Sequence, residues 1–209
     1  MIGYKNAVLR LSHYRRCLCQ FQELGYTRVF SKNLGQAAGV SPAQVRKDFS
    51  FFGLSGRRKG GYLISELLEK INRILRKDKT EKVVLVGAGR LGSALLNYKG
   101  FEKEGIQIVA AFDADPAKVG KKGEIPVYLL DNLFHFIRQQ EIRVAIVTVP
   151  ASVAQDVAER LVAAGIRGIL NFSPATLKLP DRVIVSNINL AIELEHLLYC
   201  VNEGKKENR

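Results

Sequence analysis

Residues 84–98 read VLVGAGRLGSALLNY. The aliphatic, β-branched run Lys82 to Val86 leads into Gly87-Ala88-Gly89-Arg90-Leu91-Gly92, and a helical pattern follows. Strand, G-x-G-x-x-G turn and helix, in that order, form the context in which this motif binds a dinucleotide. Gly87 permits the tight turn, Gly89 lets backbone approach a pyrophosphate, and Gly92 lets helix and strand pack closely. Ala88, Arg90 and Leu91 fill the turn, and the first amides and positive dipole of the helix favour phosphate there. QIVAAF, Gln107 to Phe112, reads as the second strand, and Asp113 ends it. Asp113 stands 26 residues after Gly87, against a usual separation of about 20; an insertion around NYKGFEKEG absorbs the difference. A carboxylate there accepts from both ribose hydroxyls and repels a 2′-phosphate. This favours NAD(H) over NADP(H), whereas the basic run from Lys118 to Lys122, with Lys118 counted in the site, argues the other way.

The alternation continues along the chain. PVYLLDNLFHFIRQQ gives a short strand and a helix, RVAIVTVP a central strand, and ASVAQDVAERLVAAG a helix with Val153, Val157, Leu161 and Val162 inward. RGILNFSP and RVIVS give two more strands. Strands alternating with helices predict an α/β, Rossmann-like parallel sheet. Ligands bind outside the carboxyl ends of such strands. Thr148, Val149 and Pro150, with Asn171, Phe172 and Ser173, are therefore candidates for lining the nicotinamide half; plain strand-to-helix turns are the alternative.

About eighty residues precede this unit, and they are basic. Residues 1–78 carry 15 Lys and Arg against 5 Asp and Glu, whereas residues 79–209 carry 17 against 15. Nearly all of the net charge of +12 thus sits in the headpiece, which points to a polyanion for that part alone. Ala7 to Leu24 has helical spacing, with Gly25 as a stop. SKNLGQAAGV follows with Ser31 as N-cap. In SPAQVRKDFSFFG, Ser41 as N-cap, Pro42 at the first helical position and Gln44 three residues after the cap form a capping box. Two short helices about a Gly-containing turn match helix-turn-helix. The second helix offers Ser41, Gln44, Arg46 and Lys47 to base edges and phosphates; an amphipathic helix with a solvated basic face would read the same. Arg57, Arg58 and Lys59, flanked by glycines, suit the tip of a hairpin supported by Val29-Phe30 and Tyr62-Leu63-Ile64. A basic hairpin after a recognition helix is a winged helix, which favours double-stranded DNA as partner. Ser65 then caps the helix ELLEKINRILRK, and the charged break at 76–81 marks a domain boundary.

The last segment, NINLAIELEHLLYCVNEGKKENR, has a wide apolar helical face through Leu190, Ala191, Leu194, Leu197, Leu198 and Val201. It would pack on its own domain or dock into a second subunit. No apolar run approaches the ~20 residues of a membrane span, and the N-terminus lacks a signal-peptide core. A cytoplasmic protein is expected. Cys17, Cys19 and Cys200 lack metal or redox spacing and read as reduced thiols. No metal is expected. A dehydrogenase needs a proton donor or acceptor beside the substrate oxygen. His13, His135 and His196 all lie away from strand ends, so an enzyme is disfavoured. A Rossmann enzyme with a basic appendage, and a DNA-binding regulator holding coenzyme A instead, remain the alternatives.

Taken together, SPAQVRKDFSFFG, GRRKGGY, GAGRLGSALLNYKGF, FDADPAKVG, TVP, GILNFSP and NINLAIELEHLLY resemble the Rex family of redox-sensing bacterial repressors. The resemblance implies a homodimer with an N-terminal winged helix over residues 1–79 and a Rossmann domain over 80–186. It implies a swapped dimerisation helix over 187–203, beginning near Leu190, and 204–209 reads as a frayed tail. It implies repression at palindromic operator DNA, release by NADH, and competition by NAD+. By position, Lys47 would enter the major groove, supported by Arg46 and the wing. The family's Arg–Tyr–Asp cluster linking domains and swapped helix matches at Arg16 and Tyr98, but its aspartate position is Asn189 here. A neutral amide weakens any charge-paired version of that switch.

Overall fold

The computed structural model describes residues 2–56 and 60–204. The basic triplet Arg57, Arg58 and Lys59, expected at a wing tip, lies outside the described residues, as does the expected tail from 205 onward. The chain divides into two compact units, Met1–Lys79 and Thr80–Arg209.

The first unit comprises α1 (Ile2–Glu23), β1 (Arg28–Val29), α2 (Ser31–Ala37), α3 (Pro42–Phe51), β2 (Tyr62–Leu63) and α4 (Ile64–Ile74). Leu11, Tyr14 and Leu18 recur at helical spacing on α1 and are fully buried against Leu34, Val45, Phe49, Leu67 and Ile71. Burying one such side chain is worth about 1.5–3 kcal/mol, so this stripe, rather than helix propensity, holds α1 to the unit. The β1–β2 ladder pairs Arg28 with Leu63 and Val29 with Tyr62, antiparallel.

Two capping expectations need correction. Phe30, not Ser31, occupies the N-cap of α2, and Ser31 lies inside the helix. Leu63 occupies the N-cap of α4, and Ser65 falls in its first turn. In α4 the start is set by the ladder: β2 runs directly into the helix, and the Ile64 N–H donates to the Thr27 carbonyl at 3.0 Å. A side-chain cap is redundant where a strand delivers the chain. Ser41 does cap α3, its Oγ accepting from the Gln44 N–H at 3.1 Å.

The second unit comprises β3 (Glu81–Val86), α5 (Arg90–Leu96), α6 (Gly100–Lys103), β4 (Ile106–Asp113), β5 (Gly120–Lys122), β6 (Ile125–Leu129), α7 (Leu133–Gln139), β7 (Val144–Val147), α8 (Ala151–Ala164), β8 (Gly168–Asn171), β9 (Ile184–Asn187) and α9 (Leu190–Gly204). Its strands form one sheet in the order β5-β6-β4-β3-β7-β8-β9. All neighbours are parallel except β5, which returns antiparallel along β6. Without the edge strand β5, the order is that of the dinucleotide-binding fold. The strand order reverses at β3, between β4 and β7, and this switch point positions the site.

Both faces of β3 are buried. Val84 and Val86 point into one core with Phe112, Ile137 and Leu161, while Val83 and Leu85 point into another with Leu96, Ile108 and Ile146. A strand covered on both sides reads as an unbroken apolar run, as Lys82–Val86 does. No helix crosses between β8 and β9; Leu177 and Leu179 of the connecting loop pack on the core instead. From Asn189 to Asn202 the C-terminal segment is exposed throughout, with Leu194, Leu197 and Leu198 each more than half exposed. Among the described residues, no helix is long and apolar enough to cross a membrane.

Candidate functional site

The glycine turn joins β3 to α5 at the switch point. Gly87 has φ +103°, a left-handed conformation that L side chains rarely adopt, and a Cβ there would lie 2.7 Å from the Thr148 carbonyl oxygen. At Gly92 a Cβ would lie 1.9 Å from the Gly87 carbonyl oxygen. Both glycines are therefore demanded by the protein's own packing. Gly89 differs: a Cβ there meets nothing within 4 Å. Its lack of a side chain leaves room for something outside the chain.

Side chains fix the turn from three directions. Thr148 donates from Oγ1 to the Gly87 carbonyl at 2.7 Å. Asp113 accepts from the Ala88 N–H at 2.7 Å. Lys122, on the edge hairpin, donates from Nζ to the Ala88 carbonyl at 2.9 Å and to Ser93 Oγ. Asp113 also accepts from the Asp115 N–H at 2.9 Å, and Lys118 Nζ lies 3.1 Å from both of its oxygens. Burial pushes the Asp113 carboxyl up, but the Asp115 and Ala88 amides and the Lys118 ammonium outweigh it and hold it below the ordinary carboxylate value. The carboxylate stays ionised at neutral pH, as an acceptor for ribose hydroxyls must be.

Gly87, Gly89, Asp113, Lys118, Thr148, Val149 and Pro150 line one cleft of about 560 Å³. Its other walls are Val86, Ala114, Leu130, Val153, Asp156 and Val157, none of which the sequence marks as a ligand residue. Val153 was expected inward; it is 45% exposed and faces the cleft from the first turn of α8. The i, i+4 pair Val153 and Val157 was the available signal, since both follow the strand end at Val147. Arg90 and Leu91 are exposed at the start of α5.

The residues after β8 are placed differently. Asn171 is fully buried, and its amide is occupied within the unit. Nδ2 donates to the Ser173 and Ala175 carbonyls and to Asn187 Oδ1, while Oδ1 accepts from the Ser173 N–H. It pins β8, its loop and β9 together. Phe172 is half-buried against the core on the α5 face. Ser173 is buried, and its Oγ has no hydrogen-bond partner among the described residues.

On the first unit, α3 exposes Arg46 and Lys47. Lys47 has no partner among the described residues, whereas Arg46 Nη1 donates to Ser31 Oγ at 3.2 Å, tying α3 to α2. Ser41 is exposed, and Gln44 is half-buried with its Nε2 donating to Asp48 Oδ1 at 2.8 Å. The Gln44 side chain thus serves Asp48 instead of returning to the cap, so the capping box is only half made. Asp48 is 3% exposed and is missed by any search for groove-facing residues. Arg10 holds it through Nε and Nη2, both at 2.7 Å, and Tyr14 donates its hydroxyl at 2.8 Å. Burial pushes this carboxyl up, and Arg10, Tyr14 and Gln44 together bring it below its ordinary value. The network locks α3 to α1 and so fixes which face of α3 is presented.

Arg16 is exposed on α1. Tyr98 is 59% exposed and stacks edge-on with Phe101 at 5.1 Å. Asn189 caps α9, its Oδ1 accepting from the Ala191 and Ile192 N–H groups at 3.0 and 3.2 Å. Leu190, the first residue of α9, is 64% exposed. The amide at 189 supplies the same capping oxygen that a carboxylate would, so the departure from aspartate costs the helix little. Among the described residues, no cluster of three or more His, Cys, Asp or Glu could hold a metal ion.

Residues 5–50 match the family described as putative DNA-binding protein N-terminus, and residues 78–175 that described as CoA binding domain. The redox-sensing transcriptional repressor Rex of Carboxydothermus hydrogenoformans is 46% identical over 205 residues, 96% of this chain and 99% of that protein. The crystal structure of RSP in complex with β-NADH, 36% identical, has a TM-score of 0.87 and covers 97% of this chain and 96% of its own. RSP in complex with β-NAD+ and operator DNA, also 36% identical, has a TM-score of 0.89 and covers 98% and 94%. Identity at this level over nearly the full length means that the chain belongs to the Rex family of redox-sensing transcriptional repressors.

Proposed function

We propose that this protein is a cytoplasmic homodimeric repressor that binds palindromic operator DNA and releases it when NADH occupies the cleft at the switch point. The observation that carries the reading is the open space above Gly89, bounded by an ionised Asp113 at the strand end. The pyrophosphate would lie on the Gly87–Gly92 turn, with Arg90 and Leu91 beside it, and the adenine ribose on Asp113. The nicotinamide would extend past Thr148, Val149 and Pro150 toward Phe172 and Ser173, with Asn171 shaping that loop from behind. Lys118 sits on the Asp113 carboxylate, which leaves NAD(H) preferred as long as that pair is intact.

NAD+ and NADH differ in one ring, charged when oxidised and neutral when reduced. A dry ring pocket disfavours the charged form through desolvation, so it prefers NADH without reacting with it. Ser41, Gln44, Arg46, Lys47 and the basic triplet at 57–59 would contact the operator, with Lys47 deepest. The exposed apolar face of α9 suits exchange between subunits, and Arg16, Tyr98 and Asn189 would join the domains to it. Release requires that NADH bind one dimer geometry better than the other. Operator DNA must then weaken NADH binding by the same factor. The movable quantity would be the spacing of the two α3 helices, near 34 Å for adjacent turns of DNA.

Gel-shift titration on a palindromic duplex, with NADH, NAD+, NADPH and coenzyme A as separate arms, tests this. Release by NADH, opposed by NAD+ and absent with NADPH, is expected. Release by coenzyme A alone would favour the ligand named in the family description of residues 78–175.

A further inference from the structure

The edge hairpin β5–β6 lies outside the cleft lining, yet it sends one side chain to the nucleotide turn. Lys122 Nζ donates to the Ala88 carbonyl at 2.9 Å and to Ser93 Oγ. Ser93 in turn donates from Oγ toward the Gly89 carbonyl at 2.7 Å. Two successive peptide groups are therefore held almost completely. In the first, the Gly87 carbonyl is taken by Thr148 and the Ala88 N–H by Asp113. In the second, the Ala88 carbonyl is taken by Lys122, and the Gly89 N–H has no acceptor among the described residues.

A trans peptide carries its C=O and N–H on opposite edges of one plane. Among the described residues no peptide bond is cis. Fixing the Ala88 carbonyl on one side of the turn thus aims the Gly89 N–H at the other. Gly89 itself lines the cleft, and a Cβ there would meet nothing within 4 Å. Lys122 also brings a cation, which no carboxylate among the described residues neutralises by a salt bridge. Lys118, by contrast, is paired with Asp113.

We infer that Lys122 is a positioning residue for nucleotide binding: it orients the Ala88–Gly89 peptide and places an uncompensated positive charge behind it, so that the turn is set for a diphosphate. The inference rests on the nucleotide reading proposed above. It touches the part of the ligand that NADH and NAD+ share, and so governs affinity without governing redox discrimination.

The test compares wild type, Lys122→Met and Lys122→Arg in the full-length protein, with binding of NADH, NAD+, ADP-ribose and adenosine measured by calorimetry. Lys122→Met is expected to weaken NADH, NAD+ and ADP-ribose by one common factor, on the order of tenfold, and to leave adenosine, which lacks phosphate, unchanged. Lys122→Arg is expected to restore most of the loss. A hairpin that merely falls out of place would weaken adenosine as well, and that result overturns the inference. Unaltered NADH affinity in Lys122→Met overturns it too, as does a loss confined to one redox form. A wild-type protein that binds none of the four ligands overturns the nucleotide reading itself, and the role of Lys122 with it.

Discussion

Gly92→Ala separates the two units by a single methyl group. The added Cβ would lie 1.9 Å from the Gly87 carbonyl oxygen, where real contacts do not close below 3.0 Å. The atom it meets is backbone, and that backbone is pinned by Thr148, so no flexible side chain can give way. Helix α5 and the turn must part by roughly 1 Å, at an overpacking cost of about 1–3 kcal/mol. The larger effect falls on the ligand. Hydrogen bonds from turn amides to a phosphate are charge-assisted, at about 1.5–3 kcal/mol each, and a shift of that size breaks at least two. The expected loss is about 3–6 kcal/mol, or two to four powers of ten in the Kd for NADH. The first unit has its own core and keeps its grip on DNA. The variant should therefore bind the operator as wild type does and fail to release it with NADH. Calorimetry with NADH and a gel shift with and without it measure both halves. An NADH Kd within about threefold of wild type would refute the steric reasoning, and lost operator binding would refute the independence of the units.

Lys47→Ala should abolish operator recognition with NADH affinity unchanged, since Lys47 is exposed and unpartnered among the described residues; a gel shift showing equal operator affinity would exclude α3 as the reading helix. Asp113→Ala should weaken NADH and admit NADPH, because it removes the ribose acceptor and frees Lys118 to meet a 2′-phosphate; an unaltered NADH-to-NADPH ratio in competition binding would count against both roles. Asp48→Asn should cost about 2–3 kcal/mol of stability at neutral pH and weaken operator binding through misplacement of α3. The Asp48 carboxyl lies below its ordinary value when folded, so the unfolded chain takes up the proton first. Its contribution is complete above roughly pH 4 and disappears as pH falls through the folded value. Urea denaturation at a series of acid pH values should show the variant losing less stability on acidification than wild type, and parallel acid limbs would contradict the network.

The parts of the site legible in the sequence were those where a residue type is demanded by backbone geometry. Gly87 and Gly92 could be read because no side chain fits there, and Lys82–Val86 because a strand covered on both faces must be apolar throughout. Asp113 was legible as the last residue of a strand in a known order. Residues whose role depends on who comes to meet them were not. Asp48 and Arg10 are distant in sequence and acquire meaning only when α1 and α3 pack. Lys122 looked like one of several lysines in a basic run, and nothing local signals that the β5–β6 hairpin delivers it to the turn. Ser31 and Ser65 failed as caps for the converse reason: the local signal was present, but the chain entered each helix without needing it.

Asp113 binds two properties of the site into one. The carboxylate that would read the ribose also holds the Ala88 N–H, and so orients the turn that would read the pyrophosphate. Lys118 neutralises it from the other side. A substitution that removes the acceptor at 113 must therefore disturb the phosphate turn, and a repressor responding well to NADPH cannot be reached by Asp113→Ala. It would need a replacement at 113 that still accepts from the Ala88 N–H while carrying no negative charge. Asparagine meets that description: its amide oxygen can hold the Ala88 N–H, and Lys118 would be left free for the 2′-phosphate. Asp113→Asn should accordingly retain more NADPH affinity than Asp113→Ala, because only the former keeps the turn in place.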